Sequence, residues 1–273
     1  MYKISAFADE ISDDLDVQIQ TLKANGVGFI ELRGAWGKNV LDLSEAEVRE
    51  VKRRADASGI GFSAIGSPLG KFPIDGDFYV QRESLKKALD FAQILEAPYI
   101  RIFSFYLGDE DPIGSREKVI DWLGQMVREA EKTPVILAHE NEKGIYGDTG
   151  ERCLDLYTQI KSPAFTGVFD FANFVQCGQR PYQDCWTKLK PFISYFHIKD
   201  AMMESGQVVP AGQGDGDVQK ILGEAFADGY DNFLTLEPHL SLAEASYGRT
   251  SPELFHTAAD ALKTILAQFK IIS

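Results

Sequence analysis

The sequence predicts an α/β protein, a single (β/α)8 barrel over residues 1–273, and three observations lead there. Short apolar runs alternate with longer segments of helical periodicity along the chain. Eight such units in 273 residues average about 34 residues each, which suits a closed barrel better than an open doubly wound sheet. The Gly-rich stretch Gly212-Gln213-Gly214-Asp215-Gly216 opens a late helix instead of giving GxGxxG after the first strand, which counts against the runner-up, a Rossmann-like sheet. No break in composition marks a second domain.

The first unit pairs a strand over Lys3 to Phe7 with a helix over Ser12 to Asn25, where Ile11, Leu15, Ile19 and Leu22 recur at spacings of three and four. Ser12 reads as the cap and Asn25-Gly26 as the stop. In the second unit Val27 to Leu32 is the strand, and Ser44-Glu45-Ala46-Glu47 is an N-cap with acidic first-turn residues, leading a helix to Ser58-Gly59. Ile60 to Ile65, Tyr99 to Phe103, Val135 to Ala138, Phe165 to Phe169, Ile193 to Ile198 and Phe233 to Leu236 read as buried strands of a parallel sheet. Helical periodicity runs over Val80 to Leu95, Arg116 to Glu131, Gly150 to Lys161, Gln183 to Leu189, Val218 to Ala227 and Pro252 to Phe269.

Composition narrows the partners. The formal net charge is 28 − 41 = −13, which argues against nucleic-acid or anionic-membrane binding, because phosphate affinity rests on clustered Lys and Arg. No stretch approaches the roughly 18 apolar residues of a membrane span, and no export signal opens the chain. Cys153, Cys177 and Cys185 are odd in number and lack CxxC spacing, so reduced thiols in a cytoplasmic protein are the simpler reading. The composition is compatible with a homo-oligomer.

In such a barrel the chemistry sits where strands end and βα loops begin. The ionisable residues at those points are Glu31, Arg101, Glu140, Asp170, His197, Lys199 and Glu237. Glu140, Asp170, His197 and Glu237 are separated by 30, 27 and 40 residues, about one unit each, so consecutive strands present them around one rim. Three carboxylates with one imidazole suit a single Mn²⁺ or Mg²⁺, with Co²⁺, Fe²⁺ or Zn²⁺ as alternatives. Taken singly, Glu31 reads as a solvated loop charge. Lys199 shares the face of His197, beside the ion or in a rim salt bridge. Strand alternation turns His139 toward the helix layer, and His239 and His256 fall beyond the strand core with structural or surface roles.

Ala138-His139-Glu140-Asn141, Gly167-Val168-Phe169-Asp170, Phe196-His197-Ile198-Lys199-Asp200, Gly212-Gln213-Gly214 with Asp217, and Leu236-Glu237 carry a further signal. With them the whole chain resembles the xylose isomerase-like TIM-barrel superfamily, in particular its sugar phosphate isomerase/epimerase branch. The resemblance implies that Glu140, Asp170, His197 and Glu237 bind one divalent ion, and that Glu140 and Glu237 face the substrate carbon from opposite sides. It implies an isomerase or epimerase of a small sugar, keto-sugar or cyclitol, phosphorylated or not, working by enediolate proton transfer between the two glutamates. A lyase or dehydratase using the same enediolate is the alternative. A non-catalytic sugar-binding barrel and an abasic-site endonuclease rank lower. Asn173, Lys199, Arg101 and Glu31 are the candidate substrate contacts. The chain departs from the family pattern at Glu142 and Asn173, where relatives often carry His, and at Gln213, where many carry an acid.

Overall fold

A computed structural model describes residues 2–240 and 250–269. Eight parallel strands close on themselves: β1 (Lys3–Ala6), β2 (Phe29–Leu32), β3 (Gly61–Gly66), β4 (Tyr99–Ile102), β5 (Ile136–Glu140), β6 (Phe165–Asp170), β7 (Ile193–Ile198) and β8 (Phe233–Leu236). Each pairs with its sequence neighbour, and β8 closes the ring against β1 with Lys3 opposite Phe233 and Ala6 opposite Leu236. The predicted barrel is the observed one, with most strand limits within two residues.

The helices are α1 (Leu15–Ala24), α2 (Glu45–Ala57), α3 (Phe78–Leu95), α4 (Pro112–Ala130), α5 (Gly150–Gln159), α6 (Phe171–Gln176), α7 (Thr187–Leu189), α8 (Val218–Ala227) and α9 (Pro252–Leu266). Ser44 and Glu47 form the reciprocal capping box that starts α2. In α1 the expected cap is displaced: Asp14, not Ser12, accepts from the Asp16 and Val17 amides, while the Ser12 hydroxyl accepts the Asp14 amide. The sixth unit differs more. Asp170 itself caps the short α6, which six residues are too few to betray by periodicity, and a π-helical turn over Pro181–Trp186 precedes α7.

Strand alternation sorts the side chains into two cores. Outward residues such as Ile30, Ile100, Leu137, Phe169 and Phe196 meet the helices in one large apolar layer. Inward residues Ala64, Tyr99, Ala138, Val168, Tyr195 and Phe233 form a separate plug inside the barrel. That plug is a floor. Two residues further along the same inward rows stand Arg101 over Tyr99, Glu140 over Ala138, Asp170 over Val168 and His197 over Tyr195. Apolar packing below thus aims polar groups upward at the C-terminal ends of the strands. Register shifts fall between Ile30 and Glu31 and between Gly167 and Val168, the second shortly before Asp170, and bulges commonly re-aim side chains.

No helix among the described residues is long and apolar enough to cross a membrane. Cys153, Cys177 and Cys185 are all free thiols.

Candidate functional site

Glu140 and Asp170 are the last residues of β5 and β6, His197 is the penultimate residue of β7, and Glu237 follows the last residue of β8. All four are buried, and each offers a ligand atom within 4.8 Å of every other. The expected quartet therefore converges. His197 Nδ1 lies 3.0 Å from Glu140 Oε1 and 3.3 Å from Glu237 Oε2.

Each carboxylate is braced by a neighbour. Arg101 Nη1 donates to Glu140 Oε2 at 2.6 Å, and Asn173 Nδ2 donates to Glu140 Oε1 at 3.2 Å. Asp170 Oδ1 accepts the Asn173 amide at 2.7 Å, and Lys199 Nζ lies 2.9 Å from Asp170 Oδ2. Glu237 Oε2 faces Lys199 Nζ at 3.4 Å, while its Oε1 faces His239 Nε2 at 3.2 Å and Arg33 Nη1 at 3.7 Å. Asn141 adds a backbone clamp: its Oδ1 accepts the Asp170 amide at 2.9 Å and its Nδ2 donates to the Asp170 carbonyl at 3.0 Å. The end of β5 is thereby stitched to the end of β6.

The loop behind Lys199 is held by a carboxylate of its own. Asp200 accepts backbone amides from Ala201 (2.8 Å), Gly212 (2.9 Å), Gly214 (3.1 Å) and Gly216 (2.9 Å). A Cβ on Gly214 or Gly216 would come within 2.5 or 2.6 Å of Asp200 Oδ1, so the glycines are there to let the amides close around it. The Gly-rich stretch is a nest for an internal carboxylate.

Dense charge shifts the protonation equilibria of these groups. Burial opposes a charge on His197, but Glu140 and Glu31 raise its pKa well above the usual imidazole range. Burial pushes Asp170 up to about 7 against the pull of Lys199. For Glu140 burial also raises, but the charges of His197 and Arg101 outweigh it and leave about 2. Glu237 ends well below the ordinary value because Lys199 and His239 overcome its burial.

A cleft of ≈ 750 Å³ opens beside Glu237, with Arg33, Arg101, Phe103, Tyr106, Glu237 and His239 in its wall. Tyr106 thus faces the cleft, whereas Phe105 is fully buried against Phe78 and Trp122. Three expectations change. Glu31 is not a solvated loop charge: it is completely buried, its Oε1 accepts from the Tyr195 hydroxyl at 3.2 Å and its Oε2 lies 3.2 Å from His197 Nε2. Asn173 is committed to Glu140 and to the Asn141 carbonyl, which leaves its amide no free donor for a sugar hydroxyl. His239 is no remote residue: its imidazole bridges Glu10 Oε1 (3.1 Å) and Glu237 Oε1 from a left-handed backbone conformation, φ +47°. His139 and His256 are as expected. His139 sits behind β5 between Tyr157 and Ser104, and His256 is exposed beside Asp260.

Sequence reasoning missed Arg33 and Glu10, and it named Asn141 only within the motif around Glu140. Arg33 and Glu10 lie past the ends of β2 and β1, and their partners are far along the chain, so only the order of strands around the ring could have pointed to them.

The residues present fit a divalent cation. His197 Nδ1 and Asp170 Oδ2 are buried without a well-directed hydrogen bond, and the donor set of three carboxylates and one imidazole is hard to borderline.

A family model described as xylose isomerase-like TIM barrel matches residues 19–265. The 2-epi-5-epi-valiolone 7-phosphate 2-epimerase of an Actinoplanes species is 27% identical over 209 residues, covering 75% of this chain and 74% of that protein. The crystal structure of a probable 3-DHS dehydratase involved in petrobactin synthesis in Bacillus anthracis superposes with TM-score 0.75 at 17% identity, over 96% of this chain and 98% of that one. The IOLI protein with a bound zinc atom superposes with TM-score 0.77 at 17% identity, over 98% and 100%. At such identities the two superpositions speak for the fold alone.

Proposed function

The chain belongs to the xylose isomerase-like TIM-barrel family, and from that premise we propose that it is a divalent-metal-dependent isomerase or epimerase of a small sugar, keto-sugar or cyclitol. The observation that carries the proposal is the convergence of Glu140, Asp170, His197 and Glu237 at four successive strand ends, with His197 Nδ1 aimed between the two glutamates. The relative that acts as an epimerase on a cyclitol phosphate supports the substrate class and the reaction type. The donor set of three carboxylates and one imidazole supports a cation of the Mn²⁺, Mg²⁺ or Zn²⁺ kind. The free thiols favour a cytoplasmic location.

Glu140, Asp170, His197 and Glu237 would hold the ion. Bound there, it would polarise a substrate carbonyl and the adjacent hydroxyl and so acidify the α-proton. Glu140 and Glu237 do the proton work from opposite sides of the centre. Arg101 and Asn173 fix Glu140, and Arg33, His239 and Lys199 fix Glu237, so neither carboxylate needs to reorganise before accepting a proton. Arg101 and Arg33, in the cleft wall, are placed to hold substrate oxygens. Lys199 serves as the internal counter-charge of Asp170 and Glu237.

The test is a panel of keto-sugars, keto-cyclitols and their phosphates with Mn²⁺, followed by NMR for α-proton exchange in D2O. Glu140→Gln and Glu237→Gln should each lose on the order of 10²-fold or more in turnover while keeping the metal. Wild-type rates in both variants, with metal bound, would sink the proposal. Product analysis separates epimerisation from elimination of a β-hydroxyl.

A further inference from the structure

We propose that Glu31, supported by Tyr195, is a positioning residue that sets the tautomer and ring orientation of His197. The proposal rests on the reading of the metal centre given above. An imidazole binds a cation through a ring nitrogen that carries no proton, and which nitrogen that is depends on the partner of the other. The two nitrogens of His197 face opposite ways. Nδ1 looks into the quartet, between Glu140 Oε1 and Glu237 Oε2, and Nε2 looks away from it toward Glu31 Oε2 at 3.2 Å. A carboxylate accepts hydrogen bonds, so Glu31 holds the proton on Nε2 and leaves the Nδ1 lone pair to the cation.

The surroundings of Glu31 suit this role and no contact with substrate. It is completely buried and both oxygens are engaged, one by the Tyr195 hydroxyl and one by the His197 ring. Tyr195 lies two residues before His197 on the same strand face, and its hydroxyl donates to the other Glu31 oxygen at 3.2 Å. The His197 ring is confined on its flanks, with the Phe7 ring 5.0 Å away at 79° and the Tyr195 ring 5.5 Å away at 60°. Glu31 comes immediately after the register shift between β2 and β3, which adjusts where its side chain meets a histidine 166 residues further on. A buried carboxylate is costly to keep unless it has such partners.

The experiment uses the metal-stripped full chain. Mn²⁺ affinity is measured by calorimetry for wild type, Glu31→Gln and Tyr195→Phe, and the His197 tautomer is read in the Mg²⁺-loaded protein from two-bond ¹⁵N–¹H correlations. Glu31→Gln should weaken Mn²⁺ binding about 10–100-fold, the usual effect of losing such a partner, and should mix the tautomers. Tyr195→Phe should shift both readouts the same way by a smaller factor, and it removes only a hydroxyl if Glu31→Gln does not fold. Wild-type affinity in both variants, or a proton on Nδ1 in the loaded wild type, would overturn the positioning role. Wild-type protein that binds no Mn²⁺ would overturn the metal centre itself and this inference with it.

Discussion

Replacing Lys199 by Met tests whether the centre is built to exchange an internal cation for an external one. The Lys199 ammonium is almost fully buried, 2.9 Å from Asp170 Oδ2 and 3.4 Å from Glu237 Oε2, and Met has nearly the same length without the charge. At an effective dielectric near 20 the two attractions come to about 6 and 5 kcal/mol before desolvation is subtracted. Removing one partner of a buried pair costs about 3–5 kcal/mol, because the remaining carboxylates stay buried and unneutralised. For a chain of this size that is a drop of roughly 6–10 °C in melting temperature. Calorimetric melts of wild type and Lys199→Met in chelator should show that gap. The gap should narrow in saturating Mn²⁺, because the ion supplies the positive charge the ammonium gave, and Mn²⁺ should bind the variant at least as tightly as wild type. Equal melting temperatures in chelator, or a gap that widens with Mn²⁺, would refute the reasoning.

Three further outcomes follow from particular contacts. Asp200→Ala leaves the amides of Ala201, Gly212, Gly214 and Gly216 without their acceptor, so exchange of the three glycine amides should accelerate by at least 10²-fold, and unchanged protection would show that Asp200 does not hold the loop. Gly70→Ala should abolish stable folding in urea titrations, because Gly70 has φ +82° and a Cβ there would lie 2.0 Å from the Phe103 carbonyl oxygen; a variant within about 1 kcal/mol of wild type would contradict that geometry. Burial pushes His139 down to about 3 from 6.5, so between those values the unfolded chain binds a proton that the native state refuses. The stability this group contributes is present above pH 6.5 and falls with pH by about 1.4 kcal/mol per unit toward pH 3. His139→Gln should flatten the pH dependence of unfolding free energy by one proton across that window, and parallel curves for the two proteins would contradict the buried neutral imidazole.

Read without its structure, the chain already determines the barrel and the four-residue centre. Both depend on local regularities: the two-residue alternation that puts Glu140 above Ala138 and His197 above Tyr195, and a unit length that returns a strand end about every 34 residues. The tertiary structure decided what surrounds the centre. Glu31 looks like a loop charge until closure of the ring and the bulge after Ile30 bring it against His197. His239 looks remote until a left-handed turn folds it back between Glu10 and Glu237. Asn173 Nδ2 looks free for substrate until the cap at Asp170 turns it onto Glu140 and the Asn141 carbonyl. The physical reason is one of range. A side chain's face on a strand is set by its immediate neighbours, whereas its hydrogen-bond partners are set by which strands become adjacent when the sheet closes, and Glu31 and His197 are 166 residues apart in the chain.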